Sequence, residues 1–237
     1  MLDSISAILP YVVLFGTAIP SIVFHEVAHG YAALALGDET AKVRKRLSLN
    51  PIEHVDPFGT LLMPALLALL RLPVFGYAKP VPINPNNFRG DQAWGMFLTA
   101  AAGPGTNLAL ATIGALLVRI VVPLRAAAVA GATSMDLITT LSILLLVLTT
   151  LVEGNLVLMF FNLIPVPPLD GSRVLPLILP KSARPFLYGI ERYGLLVVIA
   201  ALWVLPMLIG FSPIEWYFEH TMVPLFQVLT GLRFTGF

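Results

Sequence analysis

Residues 5–36 read ISAILPYVVLFGTAIPSIVFHEVAHGYAALAL, an apolar run in which Glu26 is the only formal charge. A helix needs roughly 20 apolar residues to cross about 30 Å of hydrocarbon, so this stretch can span a bilayer with tilt or overhang. Its last third nevertheless carries His25, Glu26 and His29. A charge at the bilayer centre costs about 2.5–3.5 kcal/mol even on lenient insertion scales, so ionisable groups inside a span are read as functional. On a soluble amphipathic helix the same three residues could be no more than a solvated face. The surroundings decide against that.

Working outward, 57% of the 237 residues are hydrophobic and 11% are charged, and mean hydropathy is +0.88. Soluble domains hold roughly 45–50% apolar and about 25% charged residues. We therefore expect an all-α multi-pass membrane protein forming a single membrane-embedded domain over residues 1–237. A net charge of +1, with no basic tract longer than Lys42 to Arg46, gives no footprint for nucleic acid. There are no cysteines, so any metal must be held by nitrogen and oxygen. Residues 1–6 carry no Lys or Arg, unlike the n-region of a secretory signal peptide, so the first apolar segment is expected to be retained.

Further apolar runs lie at about 58–76, 94–122, 137–166, 187–210 and 213–231, giving about five to six transmembrane or re-entrant helices. The last holds Glu215, Glu219 and His220, which suits an interfacial helix as well as a span. Residues 36–57 and 76–91 do not read as helix. Pro80, Pro82 and Pro85 alternate with Val81 and Ile83, and proline is confined to the edges of sheets, so a small extended or β segment is expected near residues 76–88.

The positive-inside tendency places Lys42 to Arg46, Lys79, Arg89, Arg173, Lys181, Arg184 and Arg192 in the cytoplasm, with Arg119 and Arg125 as exceptions. If the third run goes outward and the fourth returns, the run at 58–76 cannot cross. Its apolar core from Phe58 to Leu70 is also short enough to be re-entrant.

His25-Glu26-Val27-Ala28-His29 is the H-E-x-x-H pattern. Residues four apart on a helix advance 400° and about 6 Å, so both imidazoles leave one face and can share a metal. The glutamate between them is placed to take a proton from water. A catalytic zinc keeps three protein ligands and an open position, so a third ligand must come from elsewhere. Asp170 is the candidate. It follows Asn162-Leu163-Ile164-Pro165-Val166-Pro167-Pro168-Leu169, where three prolines interrupt a long apolar helix, and freed backbone is tolerated at membrane depth only beside protein or a water-filled cavity. Gly171 permits a sharp turn after it. The alternative is that Asp170 merely caps the next helix. Depth favours the ligand reading, because the charge rule brings His25, His29 and Asp170 all to the inner face.

At these motifs the chain resembles the site-2 protease family of intramembrane zinc metalloproteases, peptidase family M50. The shared stretches are residues 25–29, Gly103-Pro104-Gly105-Thr106-Asn107 and Asn162 to Gly171 with its Leu-Asp-Gly. Phe75-Gly76-Tyr77-Ala78-Lys79-Pro80-Val81-Pro82 adds similarity to short members without a PDZ or CBS domain. The similarity covers about residues 20–180, and Ser172 stands where a second glycine is common. The resemblance implies one Zn2+ on His25, His29 and Asp170, with Glu26 activating water. It also implies that Asn162 positions substrate or stabilises the oxyanion, although a helix-packing amide is an equal reading of that residue. Gly103 and Gly105 read as sites of close helix contact. The implied substrate is a membrane-spanning protein, cleaved on the cytoplasmic side of the cell membrane; no oligomeric state is implied.

Two rivals share the apolar frame. A transporter could use intramembrane His and Asp for a moving ion, but it does not need a base at the Glu26 spacing. A non-catalytic scaffold with structural zinc would normally close its site with four ligands.

Overall fold

A computed structural model describes residues 2–69, 76–131, 133–180, 182, 189 and 193–234. The expectations for Lys181, Arg184 and Arg192, for Phe75 and for parts of the runs at 58–76 and 187–210 lie outside these residues. Four long helices carry the fold: α1 (Leu2–Ala35), α2 (Gln92–Ala130), α3 (Met135–Asn162) and α4 (Pro213–Thr230). Three of them are long and apolar enough to cross a membrane, α1 from Ile8 onward together with α2 and α3. A fourth candidate span is the broken pair Leu196–Ile209 and α4, bent by 111°. Contacts divide the chain into two compact units, one of Met1–Ser21 and Pro104–Phe237, the other of Ile22–Gly103.

In the first unit α2, α3 and α4 share a core of Ala111, Ala115, Val152, Leu156, Met159, Phe218, Met222 and Phe226. Small residues set the spacing: a Cβ on Gly114 would come within 2.9 Å of Val152. Along α2, Leu116, Ile120 and Leu124 recur every fourth residue and are more than half exposed. A stripe of that kind suits lipid, whereas Ala111, Ala115 and Val118 face protein. α2 runs eight residues beyond the expected end at 122, because Pro123 is accommodated inside it. The two cationic exceptions have structural work. Arg119 donates to the carbonyls of Val228 and Leu229 at the end of α4, at 2.6 and 2.7 Å, which satisfies acceptors that no further turn can reach. Arg125 donates to Ser142 Oγ at 2.8 Å.

In the second unit the end of α1 is closed by Gly37 at φ 107°, with Gly37 N donating to Leu34 O and Asp38 N to Ala33 O. Asp38 is fully buried and organises the polar segment that follows. It accepts from Thr40 Oγ1 and Thr40 N, from Asn84 N at 2.7 Å and from Asn87 Nδ2 at 2.8 Å. Burial pushes its carboxyl upward, but these donors together hold it below its ordinary range.

Two expectations change here. Residues 36–57 and 76–91 contain single helical turns at Thr40–Val43, Pro51–His54 and Pro85–Asn87. And no residue of 76–88 pairs in a β-ladder, nor does any strand occur among the described residues. Instead the amides of Tyr77 and Lys79 donate to the carbonyls of Gly59, in Pro57–Leu62, and of His54, in the turn Pro51–His54. Prolines at 80, 82 and 85 remove the donors that a ladder would need. Pro57–Leu62 and Met63–Leu69 form a short helix, well under the length of a crossing.

Candidate metal centre

α1 brings His25 and His29 onto one face, and both are buried. Their rings stand nearly perpendicular, at 89°, with the two Nε2 atoms 3.1 Å apart. Two nitrogens at about 2.0–2.1 Å from a tetrahedral zinc would be separated by about 3.3 Å, so this pair already sits near the spacing of shared coordination. His29 Nδ1 lies 2.8 Å from Thr99 O. A carbonyl can only accept, so this bond puts the proton on Nδ1 and leaves the Nε2 lone pair, beside that of His25, able to take a metal ion. Orienting a ligand through its second nitrogen is the usual device in such sites. The donor set is nitrogen and oxygen, as a chain without cysteine requires.

Space for the rings is made by α2. A Cβ on Gly103 would lie 2.6 Å from His25 Cε1 and closer still to His29 Cε1. Gly103 is thus a close-approach position. Gly105 is not, since open space surrounds it.

Glu26 is half-buried and its Oε2 accepts from Val81 N at 3.1 Å. Val81 is itself buried, and it reaches α1 because Gly30 has no side chain: a Cβ there would meet Val81 Cγ1 at 3.0 Å. Residues 76–88 are expected, from their prolines, to form a small extended or β segment. What connects it to Glu26 is an amide that no sequence motif announces.

The other two predicted residues belong to the first unit. Asn162 ends α3, and its Nδ2 donates to Leu158 O at 2.9 Å. Asp170 is half-buried and opens the turn Asp170–Val174. Gly171 is required there for room more than for conformation. Its φ is not positive, but a Cβ would lie 2.5 Å from the carbonyl carbon of Leu163 and 2.8 Å from Ile164 O.

Sequence reasoning passed over a buried polar chain in the same unit. Asn107 Nδ2 donates to Asn155 Oδ1 at 2.8 Å, Asn155 Nδ2 donates to Ser21 Oγ at 2.8 Å, and Ser21 donates to Thr17 O at 2.7 Å. Both amides are fully buried. Asparagine inside an apolar helix was the available signal, since unpaired amides are costly in hydrocarbon. His54 is buried and bonds Ser48 O at 2.8 Å, and His220 bonds Trp216 O at 2.7 Å and stacks on that ring. Both hold local structure.

Comparison with known proteins gives a consistent result. The profile of Peptidase family M50 matches residues 13–205. Among curated sequences the chain is similar to proteins named "Putative zinc metalloprotease", YwhC of Bacillus subtilis (strain 168) and Rip2 of Mycobacterium tuberculosis (strain H37Rv). Identity to YwhC is 38% over 85% of this chain and 83% of the relative. Identity to Rip2 is 30% over 84% and 70%. No solved structure matches the chain.

Proposed function

This chain belongs to peptidase family M50 and is a metalloprotease, and from that premise we propose that it hydrolyses membrane-spanning protein substrates with one zinc held by His25, His29 and Asp170. The observation that carries the reading is the paired Nε2 atoms of His25 and His29, buried on a helix long enough to cross a bilayer. The relatives' shared name supplies the metal's identity.

Bound zinc supplies Lewis acidity, polarising a peptide carbonyl and making water more acidic. The chain's own residues do the rest. Glu26 takes a proton from the attacking water on a carboxylate oxygen and returns it to the leaving amine, while Val81 N–H fixes the rotamer in which it does so. Asn162 is assigned to the substrate carbonyl: one Nδ2 hydrogen is engaged with Leu158 O, and the second is available for an oxyanion.

A helical substrate must unwind before its carbonyl can be attacked, and an extended segment can hold it open. Residues 76–82 suit that task. Amides 77, 79 and 81 bond within the protein. By strand alternation 78, 80 and 82 face the other way, where prolines 80 and 82 leave Ala78 N–H as the donor. Substrate therefore pairs there chiefly through its own N–H groups. The whole of residues 1–237 acts as one membrane core, with Pro57–Leu69 re-entrant, five to six membrane-associated helices in all, and the cluster Lys42 to Arg46 marking the cytoplasmic side.

The test is metal analysis of the purified protein beside cleavage of a single-span substrate. His25→Ala and Asp170→Ala should lose zinc and activity together, whereas Glu26→Gln should retain zinc and lose cleavage by at least about 100-fold. Zinc retained by Asp170→Ala would remove that residue from the ligand set.

A further inference from the structure

Beyond proteolysis, the turn after α1 borders an open surface cavity of about 520 Å³ lined by Tyr31, Leu34, Lys42, Lys45, Leu47, Ser48 and Glu53. Its lining divides by chemistry. Leu34, Leu47 and Tyr31 form an apolar side, with Leu47 resting over Gly30, where a Cβ would strike it. Lys42 and Lys45 supply two ammonium groups, Ser48 a hydroxyl and Glu53 one carboxylate. An apolar wall beside a cationic rim fits an amphiphile with a phosphate, and basic pockets at the cytoplasmic end of a span are where lipid headgroups settle.

A second observation concerns the backbone. Lys45 is the one described non-glycine residue with positive φ, at 54°. Lys45 N donates to Lys42 O and Arg46 N to Ala41 O, the same bond pattern that closes α1 at Gly37 and Asp38. Glycine is the usual residue at that helix-ending position, because any Cβ is strained there. The chain keeps a lysine where glycine would be more comfortable, and the lysine side chain lines the cavity. Strain of this kind is characteristic of binding and functional positions.

We infer that this cavity binds the headgroup of a membrane phospholipid, a phosphodiester bearing a terminal hydroxyl or ammonium donor. Lys42 and Lys45 hold the phosphate, Glu53 accepts from the terminal donor, and the acyl chain leaves along Tyr31 and Leu34. Glu53 gives the site its selectivity. Phosphatidylglycerol and phosphatidylethanolamine offer the donor; phosphatidylcholine offers a quaternary ammonium with no N–H. Lys42 also lies 3.8 Å from Glu39, both side chains being exposed, a weak pair that a phosphate readily displaces.

The experiment uses the full chain, purified in mixed micelles and read by native mass spectrometry for retained lipid. Equimolar phosphatidylcholine, phosphatidylethanolamine and phosphatidylglycerol are offered together. The wild-type chain should retain the latter two over phosphatidylcholine. Lys45→Gly, which suits the backbone and removes the side chain with its ammonium, should weaken retention roughly fivefold, as should Lys42→Gln. Glu53→Gln should narrow the preference over phosphatidylcholine. Equal retention of all three lipids overturns the proposal, as does retention indifferent to Lys45→Gly. Displacement by inorganic phosphate at the lipid's own concentration would make this a simple anion site and overturn it as well.

Discussion

At position 103 a methyl group would press on both imidazoles, so Gly103→Ala tests the centre from outside it. Alanine favours the helix more than glycine, and any loss must come from displaced rings. We expect zinc affinity to fall roughly 10- to 100-fold, the scale of disrupted support around metal ligands, as read by competition with a chelating dye. Unchanged affinity would mean that the rings can move aside at little cost. Asp38 makes a prediction about acid. Its carboxyl titrates below its ordinary value of 3.8 when folded, so its contribution to stability is complete above that value and is lost as pH falls through the lower folded one. Asp38→Asn should lower stability at neutral pH by about 1.5–3 kcal/mol, since charge-assisted bonds are lost. It should also flatten the decline of Tm below pH 4, measured by thermal unfolding in detergent. The residue scale is where sequence spoke most clearly for His25, Glu26 and His29, whose spacing is local. It was silent on Val81 and Thr99, whose contributions come from backbone atoms that every residue possesses.

Among the elements, the segment from Gly76 to Asn84 shows how a small helical membrane protein uses irregular backbone. Arg46 donates to Lys79 O at 2.8 Å and to Glu53 O at 2.7 Å, and Lys79 N donates to His54 O at 2.8 Å. The segment is thereby pinned so that Val81 N reaches Glu26. Val81→Pro deletes that one donor, in a stretch that already carries prolines on both sides. We expect kcat for cleavage to fall roughly tenfold, the worth of one hydrogen bond, with KM and zinc content unchanged. An unchanged kcat would show that Glu26 needs no such orientation. The prolines suggested an extended or β segment over this stretch, and no ladder forms among its residues. Whether an extended segment becomes a strand depends on a neighbour to pair with, and residues distant in sequence supply or withhold it. The same holds for α2, where Pro123 looks like an end yet lies inside the helix.

For the molecule as a whole, topology can be read directly, because a chain without cysteine accepts single reporters. Arg44→Cys and Asn86→Cys should label from the same side of the membrane if Pro57–Leu69 does not cross. Gly131→Cys, at the far end of α2, should label from the other side. Labelling of positions 44 and 86 from opposite sides would make the short helix a crossing and reverse the orientation argued from charge. Sequence alone determined that this is a helical membrane protein with a two-histidine, one-glutamate motif inside its first span. Hydrophobic length and the 3.6-residue period are local properties, and a bilayer leaves few ways to satisfy them. Tertiary structure decided what surrounds the motif: a glycine of α2 seated against the rings, a carbonyl fixing one tautomer, an amide holding the glutamate, and a buried amide chain joining α1, α2 and α3. Each is a contact between segments tens of residues apart, and one sequence does not encode such contacts in any local pattern.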